Sequence, residues 1–364
     1  MLNLNIDTVV KVFLDIARIY SPSGHERELA GFICNFLRDY VDDVYIDDVG
    51  NVIAVKGSGR PVVWLHAHMD TIPIRSEVKI LKDMIVGPGV ADDKAPLASM
   101  MLAVAETEPK CRVVFTGVVE EETTSRGSLH LVESVKNGSL DAPDGVIIGE
   151  PTGIDRIVYV YRGSTKMRIV SNARGGHAST PIASSNPILK IYEMYRKLYE
   201  ILEAGEEYSK ISLVPTIVRG GEVPNQIPTH AEMLIDVRIP PGRTCRDVLS
   251  KASKLELRDD TSKTYVETYE CIDPVQVDIM NPMARAVVRS IVKILGRSPS
   301  PAKKWGTSDM NIIVRICRNI IAYGPGEHES THTDEECVKI EDLYNAVKIY
   351  ERSIEEFANL VGKH

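Results

Sequence analysis

No run of about 18 consecutive apolar residues occurs in this 364-residue chain, so a membrane-spanning helix is excluded on length. No CxxC pair occurs among its six cysteines, at 34, 111, 245, 271, 317 and 337. Scattered mostly among apolar neighbours, they read as buried thiols rather than a zinc knuckle or a disulfide framework, which fits a reducing cytosol. Excess positive charge is also missing: 43 Lys and Arg stand against 51 Asp and Glu, a net charge of -8. That removes the general electrostatic case for a nucleic-acid partner and leaves small or acidic-to-neutral soluble ones. The N-terminus lacks the uninterrupted apolar centre of a signal peptide, because Asp7, Lys11 and Asp15 break it at helical spacing. Internal repeats and low-complexity tracts are absent. The expectation is a soluble cytoplasmic protein with no membrane attachment.

What the chain does contain is enough apolar material, 43% of its residues, for more than one domain of ~100 to 200 residues. The first ~160 residues alternate helix and strand patterns. Helices are expected near 5 to 19, 95 to 106 and 127 to 137, with another to about 39 started by a Ser23/Glu26 capping box. Strands are expected near 44 to 48, 51 to 56, 61 to 67, 111 to 119 and 145 to 149. This order predicts an α/β fold whose mixed sheet is covered by helices on both faces. From 163 to 276 the order becomes βαββαβ, the ferredoxin-like arrangement, and after Pro274 the α/β pattern resumes. The expected organisation is a discontinuous catalytic domain, 1–162 and 277–364, with an inserted domain at 163–276. The insert holds 15 Lys and Arg against 15 Asp and Glu, so all the net negative charge falls on the larger domain.

Five metal-competent side chains follow apolar runs that read as strands: His68 in VVWLHAHMD, Asp92 in GPGVADDK, Glu122 in VVFTGVVEEE, Glu150 in GVIIGEPT and His332 in IIAYGPGEHESTHTDE. In open α/β sheets ligands collect at the carboxyl ends of strands, where residues distant in sequence converge. Asp70, two positions after His68, points to the same strand face and is placed to orient a metal-bound imidazole. The three adjoining carboxylates Glu120, Glu121 and Glu122 raise one another's pKa unless solvated or neutralised by cations. Singly, each residue has a structural alternative: strand-end packing for His68, a turn for Asp70, helix capping for Asp92 and Glu150, a solvated loop for the Glu triple, an exposed loop for His332. His66 shares the face of His68 and is read as structural.

Taken together, HMDTIP, GPGVADDK, VVEEETTSRG, IIGEPTG and GGHASTP resemble the successive motifs of the co-catalytic di-zinc amidohydrolases. That family includes aminoacylase, glutamate carboxypeptidase, acetylornithine deacetylase and succinyl-diaminopimelate desuccinylase. The similarity runs from about residue 21 to 336, with three departures: Pro88 where Arg is frequent, Asp93 where Met or Asn is usual, and Glu120 where Asp is frequent. The resemblance implies two Zn²⁺ per subunit, replaceable by Co²⁺ or Mn²⁺, with Asp92 bridging, His68 and Glu150 on one ion, and Glu122 and His332 on the other. It implies Glu121 as general base, Asp70 as catalytic support, and a dimerisation or lid role for the inserted domain in a homodimer. His177 would then be an oxyanion donor acting across the dimer, and Asn225 and Arg238 would bind substrate. GTSDMN adds Thr307, Ser308 and Asp309 as substrate contacts, Asp309 either meeting a basic ω-amine or capping the following helix. That segment resembles the branch that releases lysine or ornithine from the C-terminal glutamate of a small acidic amino-group carrier protein. The alternatives are a deacylase of the acetylornithine or succinyl-diaminopimelate type, a carboxypeptidase, a mononuclear hydrolase, and a non-catalytic metal-stabilised dimeric binding protein.

Overall fold

A computed structural model describes residues 4–180, 186–327 and 331–362. Two motif segments, at Pro181 and at 328–330, lie outside the described residues. Two compact units emerge: Met1–Tyr159 with Val277–Lys303 and Ser308–His364, and Val160–Gln276 with Lys304–Thr307. The four residues 304–307 thus group with the smaller unit, not with the larger one in which the sequence places them.

The larger unit is built on a mixed sheet. Its strands run, edge inward, Asp43–Ile46, Val52–Lys56, Arg112–Val118, Val62–His68, Gly145–Ile148, Ile320–Ala322 and Arg156–Tyr161. Val62–His68 lies parallel to both of its neighbours, and every one of its seven residues is buried. A strand covered on both faces reads as a near-continuous apolar run, which is why VVWLHAH shows no alternation and why its two histidines are hydrogen-bonded. The helix Ala95–Glu106 is likewise buried at all but its last residue. Ile6–Ala17, Pro282–Leu295 and Ile340–Val361 are amphipathic and bury one face each in the same core.

A separate three-stranded antiparallel sheet, Lys79–Leu81, Met84–Val86 and Cys337–Lys339, has no counterpart in the sequence pattern because its strands are only three residues long. It carries two of the five metal-competent residues. Asp92 sits in the irregular turn Val90–Lys94 just beyond Met84–Val86, and His332 lies five residues before Cys337. The expectation that all five end strands of one sheet is therefore corrected. His68, Glu122, Glu150 and His332 do follow main-sheet strands, His332 ten residues after Ala322, whereas Asp92 follows a strand of the small sheet, whose third strand comes after His332.

The smaller unit has the strand order Ser212–Gly220, His230–Ile239, Gly163–Ala173, Ser262–Ile272, Glu256–Arg258, with helices Pro187–Ile201 and Cys245–Ala252. Leaving aside the short last strand, this is the βαββαβ connectivity. HAEMLIDVRI alternates strictly, with Ala231, Met233, Ile235, Val237 and Ile239 buried. One face is packed and the other is not.

Two further expectations fail. Cys245 and Cys271 are joined as a disulfide, their Cα atoms 5.8 Å apart, because the first turn of a helix is brought against the strand Ser262–Ile272. A separation of 26 residues carries no sequence signal for such a pair. The cysteine content thus gives no argument for a reducing compartment. The Ser23/Glu26 capping box does not form either: the helix begins at Arg27, and the Ser23 hydroxyl instead donates to Asp70. No helix among the described residues is long and apolar enough to cross a membrane.

Candidate metal centre

At the end of Val62–His68 the imidazole of His68 is fully enclosed. Its Nδ1 lies 2.9 Å from the Asp70 carbonyl oxygen and 3.5 Å from an Asp70 carboxylate oxygen, and its Nε2 lies 3.1 Å from Asp92 Oδ1. The Asp70 carboxylate also accepts the Glu121 and Glu122 backbone N–H groups and the Ser23 hydroxyl. Burial opposes its ionisation, yet these donors and His68 hold its pKa below the usual carboxylate range. Asp70 therefore fixes the chain at both the expected base and the expected ligand.

Donor atoms converge in two sets within 4.8 Å: His68 with Asp92 and Asp93, and Asp92 with Glu122 and His332. Asp92 belongs to both. His332 Nε2 is 3.0 Å from Glu122 Oε1 and 3.8 Å from Asp92 Oδ2. Glu150, buried at the end of Gly145–Ile148, falls outside both sets, and the first includes Asp93 instead. Asp93 was not expected at the site. It is wholly buried, its Oδ2 accepts the His68 backbone N–H, and its Oδ1 has no hydrogen-bond partner among the described residues. Gly149 is required here: a Cβ at that position would stand 3.0 Å from Asp93 Oδ2 and 2.9 Å from Ala67 Cβ. The turn carrying Asp92 likewise needs Gly89, at φ +69°, where a Cβ would meet Thr71 Cγ2 at 2.3 Å.

The electrostatics of this cluster are those of too many anions. Burial pushes the Asp93 carboxyl well up, with Glu150 and Asp92 adding to it, although His68 pulls the other way. Glu121 is also held well above the ordinary range by burial and by Asp309, Glu150 and Glu122, against the opposing pull of His68. His68 is disfavoured as a cation by burial, yet Asp70, Asp92, Asp93 and Glu121 raise it well above the usual imidazole value. The hydrogen bond to Glu122 leads in pushing His332 up to about 9, and the charges of Glu122, Asp92 and Glu336 reinforce it. An orphaned buried carboxylate oxygen beside four more carboxylates and two imidazoles, with no thiolate, is a donor set suited to divalent cations such as Zn²⁺.

Of the two roles expected for Asp309, capping is not seen: its side chain makes no cap hydrogen bond to the short helix Met310–Ile313. The Ser308 hydroxyl accepts the Met310 N–H at the start of that helix. Asp309, 2% exposed, turns its Oδ2 to His66 Nε2 at 3.1 Å, and the same nitrogen lies 3.0 Å from Ser128 Oγ. His66 Nδ1 lies 2.8 Å from Thr116 Oγ1. His66 thus anchors Asp309 next to Glu121, a role that its position on an apolar strand does not advertise. Thr307, half-buried, is grouped with the smaller unit.

In the smaller unit, His177 is exposed and its Nδ1 lies 2.6 Å from Ser179 Oγ, which fixes the ring. The Asn225 carbonyl oxygen accepts the Ala178 N–H, bringing Asn225 beside the His177 segment. The Arg238 guanidinium forks onto Asp236 at 2.8 and 3.3 Å.

The family model described as Peptidase family M20/M25/M40 matches residues 64–356. The chain belongs to this family. The [LysW]-lysine/[LysW]-ornithine hydrolase of Saccharolobus solfataricus is 33% identical over 347 residues, covering 95% of each chain. A Pyrobaculum aerophilum protein provisionally given the same name is 41% identical over 342 residues, 94% of this chain and 95% of that one. Among solved M20 structures, the Sulfolobus solfataricus metallo-carboxypeptidase Sso-CP2 superposes with a TM-score of 0.79 at 17% identity, covering 96% of this chain and 99% of its own. The Bacillus cereus aminopeptidase PepT gives 0.77 at 18%, covering 98% and 99%. At those identities the two structures speak for the fold.

Proposed function

We propose that this M20 protein is a metal-dependent amide hydrolase that releases lysine, ornithine or both from the γ-carboxyl of the C-terminal glutamate of a small acidic amino-group carrier protein. The names of the relatives at 33% and 41% identity, which match along nearly the whole chain, support the substrate class. The observation that carries the hydrolase reading is Glu121: Asp70 grips its backbone N–H at the rim of the cation-ready cluster, while Glu122 occupies the ligand position beside it. A purely binding protein has no use for that extra carboxylate.

Two divalent cations, Zn²⁺ or in its place Co²⁺ or Mn²⁺, would supply a polarised carbonyl and a water acidic enough to attack at neutral pH. Asp92 would be the shared ligand, with His68 and Glu150 toward one ion and Glu122 and His332 toward the other. Asp93 would back His68 from behind, its Oδ2 accepting the His68 N–H. Glu121, made more basic by burial and by the carboxylates around it, takes the proton of the attacking water and returns it to the departing α-amine. Asp70 holds Glu121 in register, and His66 holds Asp309 beside it.

The smaller unit would serve as the dimerisation domain and lid. Its edge strand Ser212–Gly220 is exposed over its last seven residues, including Val214 at 52% and Val218 at 56%. Tyr192, on the helix Pro187–Ile201, is 58% exposed. A long apolar edge is a template for a second strand, and a second copy of this chain satisfies it. His177 would then act as an oxyanion donor toward the partner's site, with Asn225 and Arg238 binding substrate. For Arg238 this requires that a substrate carboxylate displace Asp236 from its fork.

The test is release of free amino acid from lysine-charged and ornithine-charged carrier by the zinc-loaded protein. Release from either supports the proposal. Rapid cleavage of N-acetylornithine, a succinylated diamine or a peptide, without release from either carrier, would assign the site to another branch.

A further inference from the structure

Glu336 stands at the end of the HTDEE segment, immediately before the strand Cys337–Lys339. Its carbonyl oxygen accepts the Gly87 N–H at 2.9 Å, which extends the pairing of that strand with Met84–Val86. Its side chain turns inward and is only 1% exposed. One carboxylate oxygen accepts both the Ala91 and the Asp92 N–H at 3.1 Å, and the other accepts the His332 N–H at 3.0 Å. No Lys or Arg forms an ion pair with it among the described residues. A buried carboxylate without a paired cation is costly, and three converging N–H donors are what offset that cost.

The consequence lies in what those three donors carry. Asp92 and His332 are 240 residues apart, on two loops that adjoin paired strands of the small sheet, and their side chains approach to 3.8 Å. His332 moreover adopts φ +66°, a left-handed backbone that is uncommon for any residue but glycine. Glu336 grips both loops by their backbones. Asp70 makes the same kind of grip on Glu121 and Glu122.

We infer that Glu336 is the positioning residue of the second metal site: by clamping the backbones at Ala91, Asp92 and His332 it presets the spacing at which Asp92 and His332 reach a common cation. The inference rests on the di-metal reading proposed above and assigns a role to a residue outside the ligand set. A clamp of this kind tunes affinity without touching the ion, typically by 10- to 100-fold.

The experiment is a Zn²⁺ chelator-competition titration of the full chain, wild type against Glu336→Gln and Glu336→Asp, with the thermal midpoint of each metal-free protein measured in parallel. Wild type is expected to take two equivalents. Glu336→Gln, which sets an NH₂ group against the backbone donors, should keep the first and bind the second roughly 10- to 100-fold more weakly. Glu336→Asp, which keeps the charge but shortens the reach, should lie between the two. A merely structural residue would lower the midpoint and leave the second affinity where it was, and that result overturns the inference. Should neither variant fold, amide exchange of metal-free wild type decides. Protection at Ala91, Asp92 and His332 in the absence of metal supports the clamp, and exchange at open-loop rates refutes it. A wild type that never takes two equivalents would instead sink the di-metal reading itself.

Discussion

The two units bury their sheets in opposite ways. In the larger one the central strand Val62–His68 is covered on both faces, and its charged residues are pushed to the strand ends and loops. In the smaller one the strand His230–Ile239 alternates, one face buried and one open, and the edge strand Ser212–Gly220 leaves apolar side chains in solvent. The first pattern concentrates charge at one place and excludes water around it, which is what a metal centre needs. The second keeps a unit foldable while leaving a surface unfinished, which is what an interface needs. The cluster of metal-competent side chains and the exposed apolar edge thereby fall on different sheets of one chain.

That contrast can be broken most severely at Glu121. Glu121→Gln should lower turnover by about 10²- to 10⁴-fold while the protein still takes two equivalents of Zn²⁺, since the residue is proposed as base and not as ligand. Retained turnover on steady-state assay would remove the base from the mechanism. Next in size is the core of the larger unit: Leu65→Ala, in the doubly covered strand, should cost about 2 to 5 kcal/mol by denaturant unfolding. The equivalent truncation on the open edge, Val214→Ala, should cost far less monomer stability and instead weaken self-association by sedimentation. If both losses fall on folding alone, the edge is no interface.

The disulfide sharpens the comparison from the other side. Opening the 26-residue loop by Cys245→Ser should destabilise the smaller unit by about 3 kcal/mol and leave metal content unchanged. A metal loss there would show that the two sheets are not separable in function. The pH dependence of metal uptake should be gentler. In the metal-free protein the His332 pKa lies at about 9, above an ordinary imidazole, so below that pH a cation must displace its proton. Apparent affinity should therefore rise with pH through the range below about 9, by up to roughly tenfold per unit for each proton released. Affinity independent of pH between 6 and 9 would take His332 out of the ligand set.

Much of this was legible in the sequence where a residue acts locally. Apolar runs closed by His68, Glu122 or Glu150 announce strand ends, and the helices Ala95–Glu106 and Pro282–Leu295 carry period and length enough to be read directly. What stayed hidden depends on contacts across the chain. The three-residue strands that carry Asp92 and His332 together have no periodicity to detect. The Cys245–Cys271 pair has no spacing rule. Ser23 and Glu26 fit a helix cap locally, yet Ser23 is claimed by Asp70, 47 residues on. Asp93 looked like a variant loop residue and is one of the most buried carboxylates in the protein. Asp309 fits a helix cap by its position, yet its carboxylate turns to His66, 243 residues away in the chain.

If loops from the main sheet and from the small three-stranded sheet jointly hold two cations, metal content per chain should register the loss of either set of loops. The decisive values are the equivalents retained after Zn²⁺ loading and removal of excess, in wild type and in His332→Ala. Two equivalents are expected in wild type and one in His332→Ala, with the ion nearest His68 retained. A single equivalent in both proteins, or two in both, would contradict a shared di-metal centre.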